Sequence, residues 1–300
     1  MIKKLGTIDI ELVEATPIVF NGKLYRFEYV RHPWYKPNQT GDTYFRFIDV
    51  ETGEPTPSFA VGYHLGTAHV EGDTIYVFGV DAWGGNEVRV WWSKDFKTWE
   101  SQVGIMLPGW GAYNNSVCKG DGRYVMALEL GEPEEAVGER FTMCFLESDD
   151  LINWHIIPDV FYSKDRYTAC PVIRHLDDGY YYMIYLEALK NWHLMPSSEW
   201  WFVPHIIRSR NLADWESSPR NPIAVPDNDD KKIANPKFTL KEREHIANAV
   251  NINVSDFDIN EFQGKTIIYY SWGDQIGVEF LAEAVYEGTM ESFLHSYFPE

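Results

Sequence analysis

Several carboxylates of this 300-residue chain stand at the ends of apolar, strand-like runs, where a side chain can be held in one place. Glu14 comes just before Thr16-Pro17. Asp256 and Asp258 follow Asn251-Ile252-Asn253, with Glu261 close behind, and Glu129 and Glu187 end the runs Met126-Ala127-Leu128 and Ile184-Tyr185-Leu186. Carboxylic acids brought together perform acid–base chemistry: one, kept neutral, protonates a leaving oxygen, and another, ionised, activates water or attacks carbon. Cleavage of a glycosidic bond needs that division of labour. The acids enter from segments more than 200 positions apart, so only a fold that converges on itself can pair them.

Each acid also has a plainer reading. Glu14 can be a solvated turn acid, and Asp256 or Asp258 can cap a turn through its own backbone. Glu129 and Glu187 can sit in salt bridges with Arg123, Arg166 or Arg174, or, if buried and unpaired, have a raised pKa suited to a general acid. His64 and His69 flank Thr67 and offer either a structural imidazole, a partner that orients a carboxylate, or a ligand for a central ion. Asn115 and Arg166 lie at comparable strand starts. Trp34, Trp83, Trp110, Trp192 and Trp200 fall in or near long insertions, where a ring can stack on a sugar face.

The elements that must position these groups are legible as a repeat. Ser93-Lys94-Asp95-Phe96-Lys97-Thr98-Trp99 returns as Ser148-Asp149-Asp150-Leu151-Ile152-Asn153-Trp154 and as Ser209-Arg210-Asn211-Leu212-Ala213-Asp214-Trp215, at separations of 55 and 61 residues. Each copy follows a short apolar strand and reads as a polar turn whose fourth residue and terminal Trp pack back on a sheet. Gly-containing turns at Asn21-Gly22, Gly72-Asp73, Asp121-Gly122, Asp178-Gly179 and Gln263-Gly264 open five β-favouring runs, and another short apolar run precedes each turn, at 16–20, 67–70, 116–119, 169–174 and 256–262. Three or four strands repeated five times predict an all-β, five-bladed β-propeller occupying 1–300 as a single domain. Two tandem β-sandwiches are the rival, and they leave the Ser-to-Trp turn unexplained. Thr239-Leu240-Lys241-Glu242 is a capping box, which predicts a helix of about ten residues between blades four and five.

The repeat, with blade starts such as Thr16-Pro17-Ile18-Val19-Phe20-Asn21-Gly22, resembles the five-bladed propeller glycosidases of the glycoside hydrolase family 43, 32, 117 and 130 type over nearly the whole chain. The resemblance implies a general base at the first blade start, where Glu14 stands two residues before Thr16. It also implies an aspartate in the second blade, where this chain has His69, and an acid before an inner-strand proline, where it has Thr168-Ala169-Cys170-Pro171. Family 117 is described as using a histidine as acid, which draws in His64 and His69. The segment from Asn251 to Asp258, with Glu261, looks like part of an active site of this wider group.

The expectation is therefore a glycoside hydrolase acting on an oligosaccharide or polysaccharide, by inversion. Glu14 and Asp258 are the expected water-activating or subsite carboxylates, and Glu187, Glu129 or His69 the proton donor. His64, Asn115, Arg166, Asp256, Glu261, Trp83 and Trp110 are the expected substrate contacts. A glycoside phosphorylase and a non-catalytic glycan-binding propeller are the alternatives. No cofactor is required; a central divalent ion such as calcium fits the axis, though no compact ligand motif demands one.

Composition narrows the partners. Lys+Arg 26 against Asp+Glu 45 gives a net charge of −19 with no cationic cluster, which disfavours nucleic acids and anionic membranes. No apolar stretch approaches a membrane span, and the start, Met1-Ile2-Lys3-Lys4, lacks the apolar core of a leader. Cys118, Cys144 and Cys170 are widely spaced and odd in number, so a cytoplasmic protein is expected. Aromatic residues make up 16% of the chain, more than surface recognition alone would use, and most are expected between blades.

Overall fold

A computed structural model describes residues 1–31, 43–139, 141–190, 200–274 and 279–299. Its strands run β1 (Lys3–Ile10), β2 (Ala15–Phe20), β3 (Lys23–Arg31), β4 (Thr43–Asp49), β5 (His64–Glu71), β6 (Thr74–Val80), β7 (Glu87–Ser93), β8 (Glu100–Met106), β9 (Gly111–Gly120) and β10 (Arg123–Glu132). After the single turn α1 (Glu134–Val137) come β11 (Thr142–Ser148), β12 (His155–Tyr162), β13 (Thr168–His175), β14 (Tyr181–Lys190), β15 (Trp200–Ser209) and β16 (Glu216–Ser217). Helix α2 (Leu240–Asn248) precedes β17 (Asn253–Phe262), β18 (Lys265–Gly273) and β19 (Phe280–Tyr286), and α3 (Met290–His295) follows them.

These strands form five antiparallel sheets, β2-β3-β4, β5 to β8, β9 to β12, β13 to β16, and β17-β18-β19-β1. They are the blades of the expected propeller, with β2, β5, β9, β13 and β17 innermost. The last blade borrows its outer strand from the chain start: β1 pairs with β19, Thr7 opposite Ala282. Trp272 Nε1 then donates to Thr7 Oγ1 at 3.0 Å across a sequence separation of 265, so both chain ends share one blade. A closed ring leaves fewer edges for stray pairing.

The first-to-second-strand hairpins turn where they were expected. Asn21 and Gly22 both adopt positive φ, 51° and 75°, the backbone of a two-residue hairpin. The Ser-to-Trp copies are the turns from third to fourth strand in blades 2, 3 and 4. In blade 2, Ser93 Oγ accepts from Phe96 N (3.1 Å), and Asp95 Oδ1 accepts from Lys97 N and Thr98 N (2.8 Å each). The same roles fall to Asp150 and Asn211. Their apolar fourth residues, Phe96, Leu151 and Leu212, are buried at φ of 60°, 66° and 64°, a conformation held by the polar turn around them.

Each terminal Trp packs onto the preceding blade: Trp99 stacks on Phe59 (3.8 Å between ring centres), Trp154 meets Phe78 edge-on (5.6 Å), and Trp215 lies over Phe145 (5.6 Å). Much of the aromatic surplus is therefore mortar between splayed sheets. In blade 1 the turn is made by Asp49, whose Oδ1 accepts from Glu51 N and Thr52 N, and isolated bridges at Pro55 and Phe59 stand in for a fourth strand.

Helix α2 begins at the predicted capping box: Thr239 Oγ1 accepts from Glu242 N, and the Glu242 side chain accepts from Thr239 N. Only Ile246 of this helix is buried, so it rides on the surface between blades 4 and 5. Among the described residues no helix is long and apolar enough to cross a membrane.

Candidate active site at the propeller mouth

Four innermost strands break register at one end of the axis, between His64 and Thr67, Ala112 and Asn115, Ala169 and Val172, and Ser255 and Asp258. At three of these breaks a residue other than glycine takes positive φ: Leu65 (51°), Cys170 (48°) and Asp256 (48°). Such bulges re-aim side chains and gather at functional sites. With Glu14 ahead of β2 and Asn114 in β9, these positions make a ring of five, one per blade. Glu14, Asn114, Cys170 and Asp256 line both a mouth cavity of about 120 Å³ and a throat of about 40 Å³ beneath it. Glu129 faces the mouth from β10. Trp83, Tyr113, Phe141, Tyr167 and Phe202 complete its walls.

Glu129 is 3% exposed, and its Oε2 accepts from Cys170 N at 2.7 Å and Asn114 Nδ2 at 3.1 Å. Burial pushes its carboxyl up to about 8 against the pull of those two donors, and Asp256 and Glu14 push the same way. Glu14 has a side chain 12% exposed, with Oε1 3.4 Å from Arg31 Nη2 and Oε2 buried without a hydrogen bond. Burial raises it to about 7; the Arg31 guanidinium opposes this and the Asp256 charge adds to it. Asp256 accepts from Ser271 Oγ at 3.1 Å. Between these acids the Cys170 thiol is driven well above its usual range, by burial first and then by Asp256 and Glu129. It is a neutral thiol and no ready nucleophile.

Arg31 is buried, 4.8 Å from the centre of the Trp83 ring and 5.4 Å from that of Tyr29. Tyr29 Oη in turn shares a 2.8 Å hydrogen bond with His64 Nδ1. Burial, then the Arg31 charge, lower His64 to about 4, so its imidazole is neutral; the expected substrate contact lines neither the mouth nor the throat.

The other expected site residues lie elsewhere. Asp258 sits below the ring, where Arg174 Nη2 donates to its Oδ1 at 2.7 Å and to the Ile259 carbonyl at 2.6 Å; this pair plugs the channel. Burial raises the Asp258 carboxyl, opposed chiefly by Arg174. His69 opens into a separate cavity of about 330 Å³ at the far end, shared with Arg174 and His175, and burial lowers it to about 4. Glu187 accepts from Tyr185 Oη (2.9 Å) and Arg166 Nε (3.2 Å), while its neighbour Leu186 lines the mouth. Arg166 is spent on Glu187, Ser163 and Tyr162.

Asn115 lines the throat and donates to the Leu65 carbonyl at 3.1 Å. Glu261 accepts from Met290 N at 3.0 Å, where α3 begins. Trp83 is in the mouth wall, whereas Trp110 packs half-buried against the core of blades 1 to 3. Trp34 and Trp192 fall outside the described residues, as does the Trp200 side chain. Among the described residues no group of three or more His, Cys, Asp and Glu is spaced to hold a metal ion.

Sequence reasoning ranked Asp256 only as a substrate contact and gave Cys170 no role. Aligning the five inner strands level with one another, which puts 14, 65, 114, 170 and 256 in one ring, is the signal that finds both.

No family model matches the chain, and no curated protein does. Solved structures do. One described as a glycoside hydrolase shares 13% identity at a TM-score of 0.64, over 96% of this chain and 92% of its own. A glycosyl hydrolase from Bacteroides ovatus shares 12% at 0.59, over 94% and 85%. The α-L-arabinofuranosidase Arb93A of Fusarium graminearum, solved with an iminosugar inhibitor, shares 11% at 0.58, over 95% and 98%. At such identities the likeness establishes a fold shared with propeller glycosidases.

Proposed function

We propose that the mouth of the propeller hydrolyses glycosidic bonds. The observation that carries this reading is the meeting of Glu14, Glu129 and Asp256, from blades 1, 3 and 5, on one aromatic-walled cavity. Glu129 is the proton donor. Its Oε2 accepts two N–H bonds, so the proton it keeps at neutral pH sits on Oε1 and is available to a leaving oxygen. Glu14, raised to about 7 by burial against the pull of Arg31, takes a proton from the attacking water. Asp256, on the same cavity, stabilises the positive charge that grows on the sugar ring in the transition state.

Glu14 acting as a base on water, and not as a nucleophile on the sugar, gives direct attack by water and inverts the anomeric centre. Phosphorolysis is disfavoured because inorganic phosphate needs cations facing it. Arg31 is the one Lys or Arg on the mouth among the described lining residues, and it is buried against Glu14 and Trp83. Asp258, Glu187 and His69, each engaged away from the mouth, have no part in this mechanism.

The test is release of reducing sugar from a broad glycan panel, in phosphate-free buffer, by the native protein and by folded Glu129→Gln and Glu14→Gln. Turnover lost in both variants and independent of phosphate, with product of opposite anomeric form by NMR, is the expected result. Turnover that survives both substitutions sinks the assignment.

A further inference from the structure

Glu14 is held from behind by a line of contacts that crosses from blade 1 to blade 2. Arg31 Nη2 lies 3.4 Å from Glu14 Oε1. The guanidinium rests against two rings, with its carbon 4.8 Å from the centre of Trp83 and 5.4 Å from that of Tyr29, distances at which a ring attracts a cation. Tyr29 is tied at both ends. Its backbone N–H donates to the Glu14 carbonyl at 3.4 Å, and its hydroxyl shares the 2.8 Å hydrogen bond with His64 Nδ1. Tyr29 and His64 are each 1% exposed, so the bond between them is made away from bulk water.

Anchoring the hydroxyl sets the plane of the Tyr29 ring, and that plane sets where the guanidinium rides. Blade 2 presents His64 at the edge of its register break, next to Leu65 at a φ of 51°, so the bulge aims the imidazole at the neighbouring blade. The same device joins blades 3 and 4, where the bulge residue Cys170 donates its N–H to Glu129. His64 is neutral beside the guanidinium and contributes a hydrogen bond, not a charge. Glu129, Cys170 and Asp256 face Glu14 from blades 3, 4 and 5, and Asp81 faces His64. We propose that His64 is a positioning residue for the base: by anchoring the Tyr29 hydroxyl it keeps Arg31 against Glu14. This role rests on the hydrolytic reading above only in calling Glu14 a base, since the hold on its carboxyl can be measured without turnover.

The experiment follows the Glu14 carboxyl by NMR titration of protein labelled at its glutamate carboxyl carbons, the Glu14 signal being assigned by its loss in Glu14→Gln. Native protein is compared with His64→Leu and Tyr29→Phe, and each change is repeated on Arg31→Met. Tyr29→Phe removes only the hydroxyl and carries the test where His64→Leu does not fold. Breaking the bond from either side should raise the Glu14 carboxyl by about half a pH unit or more, part of the 1–3 units a neighbouring cation supplies. Neither change should add to the shift caused by Arg31→Met. A Glu14 titration unmoved by Tyr29→Phe, or shifts that add in full to that of Arg31→Met, overturns the proposal. The acid limb of kcat/KM should move with the NMR value. Shifted titrations without turnover of any glycan, or with an acid limb that stays in place, defeat the catalytic reading of Glu14 and leave the hold of His64 on its carboxyl standing.

Discussion

The backbone N–H of Cys170 donates to Oε2 of Glu129 at 2.7 Å, so the bulge of blade 4 holds the acid of blade 3. Cys170 has a φ of 48°, and that backbone conformation aims its N–H across the axis. The proposed proton donor is held by a neighbouring blade as much as by its own strand.

Replacing Glu129 should separate activity from stability. Glu129→Gln is expected to lower kcat/KM by roughly 10²–10⁴, the usual contribution of a general acid. Its stability should respond the other way. At acid pH both folded and unfolded chains keep this proton. As pH rises past 4.5 the unfolded chain releases it while the folded chain holds it to about 8, so native stability falls across that window. The variant should lose this slope and exceed the native protein at pH 8 by on the order of a few kcal/mol. Urea unfolding at pH 5 and pH 8 measures the difference.

The pH profile of kcat/KM should be a narrow bell. Glu14 must be ionised, which fails below about 7, and Glu129 must be protonated, which fails above about 8. The two acids interact, so the limbs report the pair. An optimum between those values on a neutral substrate is the expected outcome, and a flat profile from pH 5 to 9 contradicts these roles.

Arg31→Met removes the positive charge that holds the Glu14 carboxyl down. The acid limb should move to higher pH while the alkaline limb stays near its native place. A parallel shift of both limbs in stopped assays across pH would contradict a specific effect on Glu14.

Asp258→Asn tests the channel plug. Leaving Arg174 buried without its carboxylate should cost roughly 3–5 kcal/mol in denaturant unfolding. The folded fraction should keep its catalytic rate, since Asp258 lies below the acids. A large loss of kcat at native stability would return this residue to the chemistry.

The blades were legible because their signals are local. Asn21-Gly22 demands its hairpin, Ser148 and Asp150 satisfy a turn's own N–H groups, and Thr239 with Glu242 caps a helix, all within a few residues. The closure of the last blade by β1 carries no such mark, since Thr7 and Trp272 are paired only by the ring itself. The acids divide in the same way. Glu14 and Glu129 could be named from their places at strand ends. Whether Asp258 faces substrate or Arg174, and whether Glu187 faces the mouth or Tyr185, is decided by one step of strand alternation displaced by a bulge. The role of Cys170 is carried by its main chain, which side-chain chemistry does not advertise.

The shared final blade also governs how the molecule is made. On the ribosome, blades 1 to 4 can emerge and pair their strands in turn, but Lys3–Ile10 has no partner until Phe280–Tyr286 has been synthesised. Lys3–Ile10 is made before blades 1 to 4 yet docks after them. Sealing the ring is a late, long-range event of the sort that slows folding. Until blade 5 has been made, the mouth has Glu129 of blade 3 but lacks Asp256. The ring and the proposed set of acids both wait on the last blade, so the proposed site has all its parts only near the end of synthesis.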